Sequence, residues 1–455
     1  MDWETIRTEL GGIYGQTVLR EMGEIIRLYD FYDGRGQDWP VNGQLDYIPT
    51  RKKTNLVKKL IKSEARFLFG KTPEISLYSP GQEQCDMELW QKYLGDTLIR
   101  NRWGDKLIKA ARDCFIGKRV ALRLWVEEDH IAMGFRPSLE FVYEPEEDDA
   151  EKIKKIIFFY HLNQDCVPSK QRIWRQKYTM VNGRCILNEG IYDGSGHLME
   201  EKYHNYDTGL SFIPAYVIVN DGLTGDLMGE SDVAELRDNQ EVYNRLCSDD
   251  IDALKFHMFP QRVAVDASPQ SLQNMVIAPG ALVDLQTDPS IQSGQASMQT
   301  LESQFGYDAR LEHTLSRIKE DMYNVLSVPD VGTQQIQGSV YSGKAIKALY
   351  WDLICRCEEK WTVWEPALVW MSKNILKMAA QMGWIPSLQT DYQVHVEHCY
   401  PIPDDEEEER LNDLKEVESG VRSVSSYQEK WGILPGRDGE KTIEPEPADK
   451  LKEEG

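Results

Sequence analysis

A short glycine-containing segment carries the clearest chemical pattern in the sequence. Residues 338–345 read GSVYSGKA, which fits the phosphate-binding pattern G-x-x-x-x-G-K up to its last position. In working ATPases the next residue is a Ser or Thr whose hydroxyl binds Mg²⁺, whereas this chain has Ala345. Such a loop also follows a buried β-strand, but the preceding residues, DVGTQQIQ, are mostly polar. The pattern therefore argues against nucleotide hydrolysis at this loop.

The stretch HVEHC at 395–399 contains residue types that bind zinc. On a strand, His395, Glu397 and Cys399 would share one face and His398 would point to the other. Three ligands on a single strand do not match the spacing of a closed zinc site. We therefore interpret the stretch as a half-buried strand and predict no metal ligands in it.

Clustered carboxylates at 248–254, SDDIDAL, invite comparison with metal-dependent nucleases. On a helix, Asp249 and Asp252 would share a face. The sequence has no second acidic cluster at a spacing that would place it beside them as further metal ligands. A solvated helix face is the favoured interpretation. The sequence thus predicts no catalytic residue, no cofactor and no metal site, and we expect a protein that is not an enzyme.

The charge of the chain narrows its possible partners. The formal net charge is −23 at pH 7. A protein that reads nucleic-acid sequence tightly is basic, because its affinity comes from neutralising phosphates. The composition therefore excludes that class, but it leaves room for a protein that DNA must pass without adhering.

Composition also indicates a folded chain of several parts. With 455 residues, it is too long for one core and suggests two to four domains or an elongated architecture. No run of about 18 apolar residues is present, so we expect no membrane-spanning helix, and the acidic N-terminus does not resemble a signal peptide. The eight cysteines lack paired C-x-x-C spacing, which favours free thiols in a reducing compartment.

Helical and strand-like patterns alternate in blocks, which predicts an α+β fold. Gly70 and Gly117 are predicted helix ends, Ser231 a helix N-cap, and Pro366 a kink. The predicted elements are a helix over 4–30, a helix ending at Gly70, a helix over 105–116, antiparallel strands over 119–219 with an Asn-Gly turn at 182–183, a helix over 229–259 with an apolar stripe of Val233, Leu236, Val242, Leu246 and Leu254, strand-like pieces in 260–304, a helix containing Leu311, Leu315, Ile318, Met322 and Leu326, a long helix from Lys344 to about Met382, a strand over 391–400 and a charged helix that follows it.

The strongest basic cluster of the chain precedes and enters the helix that ends at Gly70. Two interpretations stay open for it, a solvated helix face and a contact with an acidic neighbour. The cluster consists of Arg51, Lys52, Lys53, Lys58, Lys59 and Lys62.

Several segments, in order, resemble the portal proteins of tailed bacteriophages, from about residue 50 to about 430. TNLVKKLIKSEARFLFGKTPEI is similar to the N-terminal helix of that family, and AARDCFIGKRVALRLW to its helix–Gly–strand passage into the wing. IPAYVIVNDGLTGDLMGESDVAELRDNQEVYNRLCSDD is similar to the passage into the first stem helix, with the Tyr243–Asn244 pair. SGKAIKALYWDL, VHVEHCYPIPDDEEEERL and SGVRSVSSYQEKWGIL resemble the segments after the tunnel loop, before the crown and near the C-terminus.

The resemblance implies an α+β, portal-type ring subunit with a helical stem and crown, an antiparallel β wing and a small α/β clip. The tunnel loop would be lined by Thr333, Gln334, Gln335, Gln337, Ser339, Tyr341 and Lys344. The implied parts are N-terminal helices and β-rich wing at 1–225, first stem helix at 226–259, clip at 260–304, second stem helix at 305–326, tunnel loop at 327–343, long kinked helix and return strand at 344–400, and short crown helices with an acidic tail at 401–455.

The resemblance also implies a role and a set of partners. It implies a ring of subunits, a dodecamer, at one capsid vertex of the virion, assembled in the host cytoplasm, through which the genome is packaged and ejected. Its partners would be further copies of itself, the large terminase, the major capsid and scaffolding proteins, the head-tail adaptor, and double-stranded DNA that passes without sequence-specific binding, with no membrane. The alternatives are a diverged P-loop ATPase or other DNA-processing enzyme, and a different ring or adaptor of the same particle.

Overall fold

The computed structural model forms two compact units, Met1–Val331 with Tyr350–Pro401, and Gly332–Leu349 with Ile402–Gly455. Helices are combined with antiparallel sheets, which confirms the predicted mixture of α and β structure. The residues that the structure describes are 12–39, 47–79, 84–149, 152–163, 167–223, 225–258, 261–273, 285–290, 294–301, 306–330, 343–388, 392–402 and 406–431.

The first unit holds most of the described helices. Within the described ranges, no helix is both long and apolar enough to span a membrane. The helices of this unit are α1 Gly12–Tyr32, α2 Leu56–Phe69, α3 Gln84–Arg100, α4 Trp103–Gly117, α5 Asp232–Met258, α6 Pro269–Gln273, α7 Asp308–Val325 and, in the numbering used below, α9 Trp351–Gln381.

A three-stranded antiparallel sheet lies at the centre of this unit, in the order β3-β2-β9. Its strands are β2 Arg119–Val126, β3 Ile131–Pro137 and β9 Ala215–Val219. The first six residues of β2 are all buried, because α4 and α9 pack against the sheet. The run RVALRLWV, predicted as one of the alternating strands, is therefore an interior strand in which Arg119 and Arg123 are buried as well.

A five-stranded antiparallel sheet follows, in the order β4-β5-β6-β7-β8. Asn182 and Gly183 join two of its strands with φ values of 50° and 75°, the left-handed conformation that a tight hairpin turn requires. The predicted Asn-Gly turn is thus confirmed. The strands are β4 Phe141–Pro145, β5 Ile153–His161, β6 Ile173–Val181, β7 Arg184–Tyr192 and β8 Leu198–Asp207.

Two antiparallel strand pairs complete the first unit. β1 (Glu74–Tyr78) pairs with β12 (Gln393–Glu397), although the two are more than 300 residues apart. β10 (Gln261–Val265) pairs with β11 (Ser297–Leu301) and lies between α5 and α7 along the chain. β10 is the predicted strand QRVAV, whereas most of the predicted strand ALVDL lies outside the described residues.

The second unit contains α8 (Gly343–Leu349), α10 (Glu406–Glu418) and α11 (Val424–Lys430). The last two helices pack together around Asp413, whose side chain is mostly buried. Its carboxylate accepts hydrogen bonds from Arg422 at 2.6 Å and Lys430 at 2.8 Å. Two cations on one acid hold the hairpin closed.

Two predicted helical features are wrong. The long helix from Lys344 to Met382 is divided at Tyr350, whose ring stacks on Phe67 with centroids 5.5 Å apart and whose backbone leaves the helical conformation. Ser231 does precede α5, but its hydroxyl donates to the carbonyl of Ile116 at 2.7 Å instead of capping the helix. Pro366 lies within α9 without ending it.

Candidate functional site

The residues predicted to line a tunnel are only partly described. Thr333, Gln334, Gln335, Gln337, Ser339 and Tyr341 lie outside the described residues. Lys344 lies in the first turn of α8, as the sequence predicted for the helix behind the loop.

The described residues at the start of this predicted loop, which spans 327–343, are anchored to α7 and to the interior. α7 ends at Val325, and the following Leu326 and Val328 are buried while Ser327 has φ 54°. Lys319 of α7 forms an ion pair with Asp330 at 2.5 Å. Asp330 is the last residue that the structure describes before Gly343. The chain therefore leaves α7 in a fixed direction.

Tyr323, in the last turn of α7, ties this helix to α2. Its ring is buried, and its hydroxyl accepts a hydrogen bond from Lys59 at 2.6 Å. Lys58, the neighbouring residue of α2, forms an ion pair with Asp33 at 2.9 Å. Of the basic cluster, Lys58 therefore contacts an acidic neighbour, Asp33, and Lys59 contacts the phenol of Tyr323. Neither side chain is simply solvated.

A second set of contacts fixes the segment before α2 along α5, and we call it the amide ladder. The acceptors lie on one face of α5 at intervals of four residues, and the donors are alternate backbone N–H groups of residues 50–56. The pairs are Asp252 with Thr50 at 2.8 Å, Ser248 with Lys52 at 2.9 Å, Asn244 with Thr54 at 2.9 Å and Gln240 with Leu56 at 2.8 Å.

The spacing of the ladder follows from backbone geometry. Four residues of helix advance about 6.0 Å, and two residues of extended chain advance about 6.6 Å. A nearly extended segment that runs antiparallel to a helix can therefore meet a polar side chain at every second N–H. This segment has no sheet partner, so the ladder supplies hydrogen-bond acceptors to half-buried amides that would otherwise lack them.

The ladder corrects two predictions about α5. Val242 and Leu254, predicted for an apolar stripe, are 42% and 48% exposed. Beyond Leu236, towards the C-terminal end of the helix, the buried side chains are polar. Asp252, interpreted as part of a solvated face, is buried and binds Thr50. Asp249 is exposed, as predicted. The regular four-residue spacing of polar side chains was the signal that sequence reasoning missed.

A cluster of buried charges lies where α2, α5 and α9 meet, and we call it the charge cluster. Glu64 of α2 and Asp232 of α5 are 0% and 1% exposed. Arg356 of α9 donates to Glu64 at 2.8 Å and to Asp232 at 3.0 Å. One turn further along, Lys360 lies 3.0 Å from Asp232 and 3.6 Å from Glu64. The four side chains bind three helices to one another.

The edge of the charge cluster brings in the connection from β9 to α5. Lys360 donates to Asn220 at 2.8 Å and lies 3.4 Å from Asp221. Glu235 lies 3.9 Å from Arg356. Two cations are therefore shared by four carboxyl groups.

In the charge cluster, burial and the charges of opposite sign shift the pKa of each group in opposite directions. Burial raises the pKa of Glu64 to about 7, with a further rise from Asp232, against the pull of Lys360 and Arg356. Burial lowers the pKa of Lys360, but Asp232 and Glu64 outweigh it, so the pKa of Lys360 is raised and its ammonium stays charged. Sealed side chains of this kind cannot touch a substrate, so the cluster positions helices.

The structure describes both stretches that contain metal-binding residue types, and in neither does it bring three potential ligands together. In HVEHC, Val396 of β12 is buried and His395 is exposed, which confirms the half-buried strand. His398 lies after the strand, 2.7 Å from the carbonyl of Leu68, with its ring stacked on Trp361 at 4.2 Å. Among the described residues, no group of three or more His, Cys, Asp or Glu side chains is arranged to hold a metal.

Residues 16–455 match the model of the phage portal proteins that are SPP1 Gp6-like. The chain belongs to the SPP1 Gp6-like phage portal protein family. The portal resemblance inferred from the sequence is therefore confirmed. No curated protein sequence matches this portal protein.

Two solved structures are similar to this portal protein at 12% sequence identity. The neck of an empty GTA particle, computed with C6 symmetry, covers 92% of this chain and 94% of its own, with a TM-score of 0.47. The virion of a native gene transfer agent particle covers 86% of this chain and 96% of its own, with a TM-score of 0.43.

In this portal protein, replacing Asn244 with alanine is expected to cost about 1–3 kcal/mol of folding stability. The change removes the acceptor of the Thr54 N–H and the amide donor to Gln37 at 2.8 Å. Denaturant unfolding measures the loss, and hydrogen exchange should show faster exchange at the Thr54 amide.

The matched control is Asp249→Ala, since Asp249 is exposed on the same helix. We expect a change within about 0.5 kcal/mol for it. Equal losses in the two variants, with no change in Thr54 exchange, would show that the ladder adds nothing to stability.

Proposed function

We propose that the chain is one subunit of a ring that forms the DNA channel at a capsid vertex, through which the phage genome is packaged and later ejected. The observation that carries this proposal is the family match over residues 16–455. It is supported by the order of elements, in which α5 and α7 flank the β10–β11 pair and the predicted loop follows α7.

The parts of the subunit are assigned on that basis. The two antiparallel sheets between β2 and β9 are the wing, α5 and α7 are the stem helices, and the β10–β11 pair belongs to the clip. α9 with β12 returns the chain to the wing, and α10 with α11 is a small crown. The amide ladder and the charge cluster would hold the stem helix α5 to the segment before α2, to α2 itself and to α9, so that a load on one of these elements is carried to the others.

The composition suits a channel that DNA must pass. Each subunit brings a formal charge of −23, so a ring of twelve is strongly acidic. Phosphates would meet no large basic surface, and adhesion would not have to be broken at each step. Mobile cations screen the remaining repulsion over about 10 Å at 0.1 M salt. Glutamine and serine side chains of the tunnel loop would contact phosphates only through weak, exchangeable hydrogen bonds.

In this proposal the subunit is not an enzyme and needs no cofactor. Packaging is driven by a separate ATPase, the large terminase, which docks at the clip, and the head-tail adaptor later takes its place. Major capsid and scaffolding proteins contact the ring during assembly. The ring forms in the host cytoplasm and becomes part of the virion.

Electron microscopy of the purified chain tests the proposal. We expect rings with a central hole and close to twelvefold symmetry. We also expect no nucleotide turnover above that of a buffer blank. A monomeric chain that hydrolyses ATP would overturn the proposal in favour of a diverged ATPase.

A further inference from the structure

The side chain of Glu64 is the least satisfied member of the charge cluster. Its Oε1 accepts a hydrogen bond from Arg356 at 2.8 Å, whereas its Oε2 is buried without a hydrogen-bond partner. A carboxylate oxygen sealed from water and without a donor is costly, and a proton on that oxygen removes the charge that makes it costly.

The surroundings of Glu64 favour the same outcome. Both oxygens of Asp232 accept from Lys360, at 3.2 and 3.0 Å, so this acid takes the larger share of the positive charge. The titratable and charged groups on the packed elements are Asp232 and Glu235 on α5, Arg356, Cys357 and Lys360 on α9, Asp221 in the connection before α5, and Cys114 on α4 beside Lys360.

We propose that Glu64 is a proton-binding site of the folded chain, and that one proton from solvent rests on its Oε2 in mildly acidic solution and leaves as the pH rises through neutrality. The proton adds to an oxygen lone pair, and the charge of the cluster rises by one. Release of this proton in alkaline solution leaves a second buried anion beside Asp232 and loosens the junction of α2, α5 and α9. The inference concerns the subunit itself and does not depend on the proposed channel.

The direction of the pH effect follows from linkage. Burial raises the pKa of Glu64 from 4.5 to about 7 in the folded chain, while the unfolded chain keeps the ordinary value. Between these values the folded chain binds more protons than the unfolded chain. The stability contributed by this site is therefore greatest at the acidic end of the window and falls as the pH rises through about 7.

The first test compares the full chain with its Glu64→Gln variant, because glutamine keeps the shape of a neutral carboxyl group. We expect the unfolding midpoint of the native chain to fall between about pH 5 and about pH 8, and that of the variant to fall less. The control is Glu359→Gln, which changes an exposed acid of α9 next to Lys360 and should leave the slope of the native chain largely intact. Identical slopes in the native chain and Glu64→Gln would overturn the proposal.

A second measurement does not require a variant. The infrared C=O stretch of a protonated carboxyl group should persist in the folded chain at pH values where ordinary glutamates are ionised, and should disappear with a midpoint near 7. If Glu64→Gln folds, its spectrum should lose the part of this band that titrates near 7 and keep the part from Asp113, because burial raises the pKa of Asp113 to about 6. A band that titrates only near the ordinary glutamate value overturns the proposal even if the variant fails to fold.

Discussion

Replacing Lys360 with methionine is expected to destabilise the chain by about 3–5 kcal/mol, because breaking a buried ion pair leaves an uncompensated charge in the interior. Methionine preserves most of the volume of the side chain but removes the ammonium. Asp232 then loses its contacts at 3.0 and 3.2 Å, and Asn220 loses its donor at 2.8 Å. Urea unfolding followed by circular dichroism measures the change.

Two further variants separate charge from packing. Lys377→Met changes a lysine of the same helix that is exposed, with a single ring contact at 5.9 Å, and should have little effect. Adding Asp232→Asn to Lys360→Met removes the orphaned anion and should restore part of the lost stability. If Lys360→Met is as stable as Lys377→Met, the cluster does not hold the helices together.

Replacing Gln335 with tryptophan in every subunit is expected to abolish DNA packaging while rings still assemble. The prediction rests on the proposed channel, in which this residue belongs to a loop that faces the passing DNA. A ring of bulky side chains would then narrow a passage that the duplex must cross. Electron microscopy of the rings and the yield of nuclease-protected DNA in particles are the two measurements.

The matched control for this variant is Gln393→Trp. Gln393 is an exposed residue of β12, outside the predicted loop. We expect it to leave both rings and packaging near the native level. Normal packaging by well-formed Gln335→Trp rings would show that residues 327–343 do not line the narrow part of a channel.

The sequence predicted those elements whose partners are local or uniformly apolar. β2 was found because it is a short run of strand-forming residues in a region where turn signals separate such runs, and the hairpin turn was found because Asn182 and Gly183 tolerate positive φ. α7 was found because its apolar residues repeat at helical spacing. In each case the signal lies within one short window of consecutive residues.

What the sequence did not predict depends on distant partners. The buried face of α5 is polar because it binds a backbone segment almost 200 residues away, and an apolar stripe is the wrong pattern for that task. The charge cluster joins Glu64 to Arg356 across 292 residues, so the sequence around either residue does not indicate that the two are in contact. α3 was not predicted at all, although Trp90 and Leu94 bury one of its faces.

The amide ladder has a consequence for how freely this part of the chain can change in evolution. Its four acceptors on α5 recognise backbone N–H groups, which every residue except proline possesses. Positions 50, 52, 54 and 56 can therefore exchange side chains with little loss of the ladder, while proline at any of them removes a donor. The opposite holds on α5, where Gln240, Asn244, Ser248 and Asp252 each supply an acceptor of fixed length. We therefore expect substitutions to accumulate at positions 50, 52, 54 and 56 and to be rarer at the four acceptor positions of α5, although both sets of residues take part in the same hydrogen bonds.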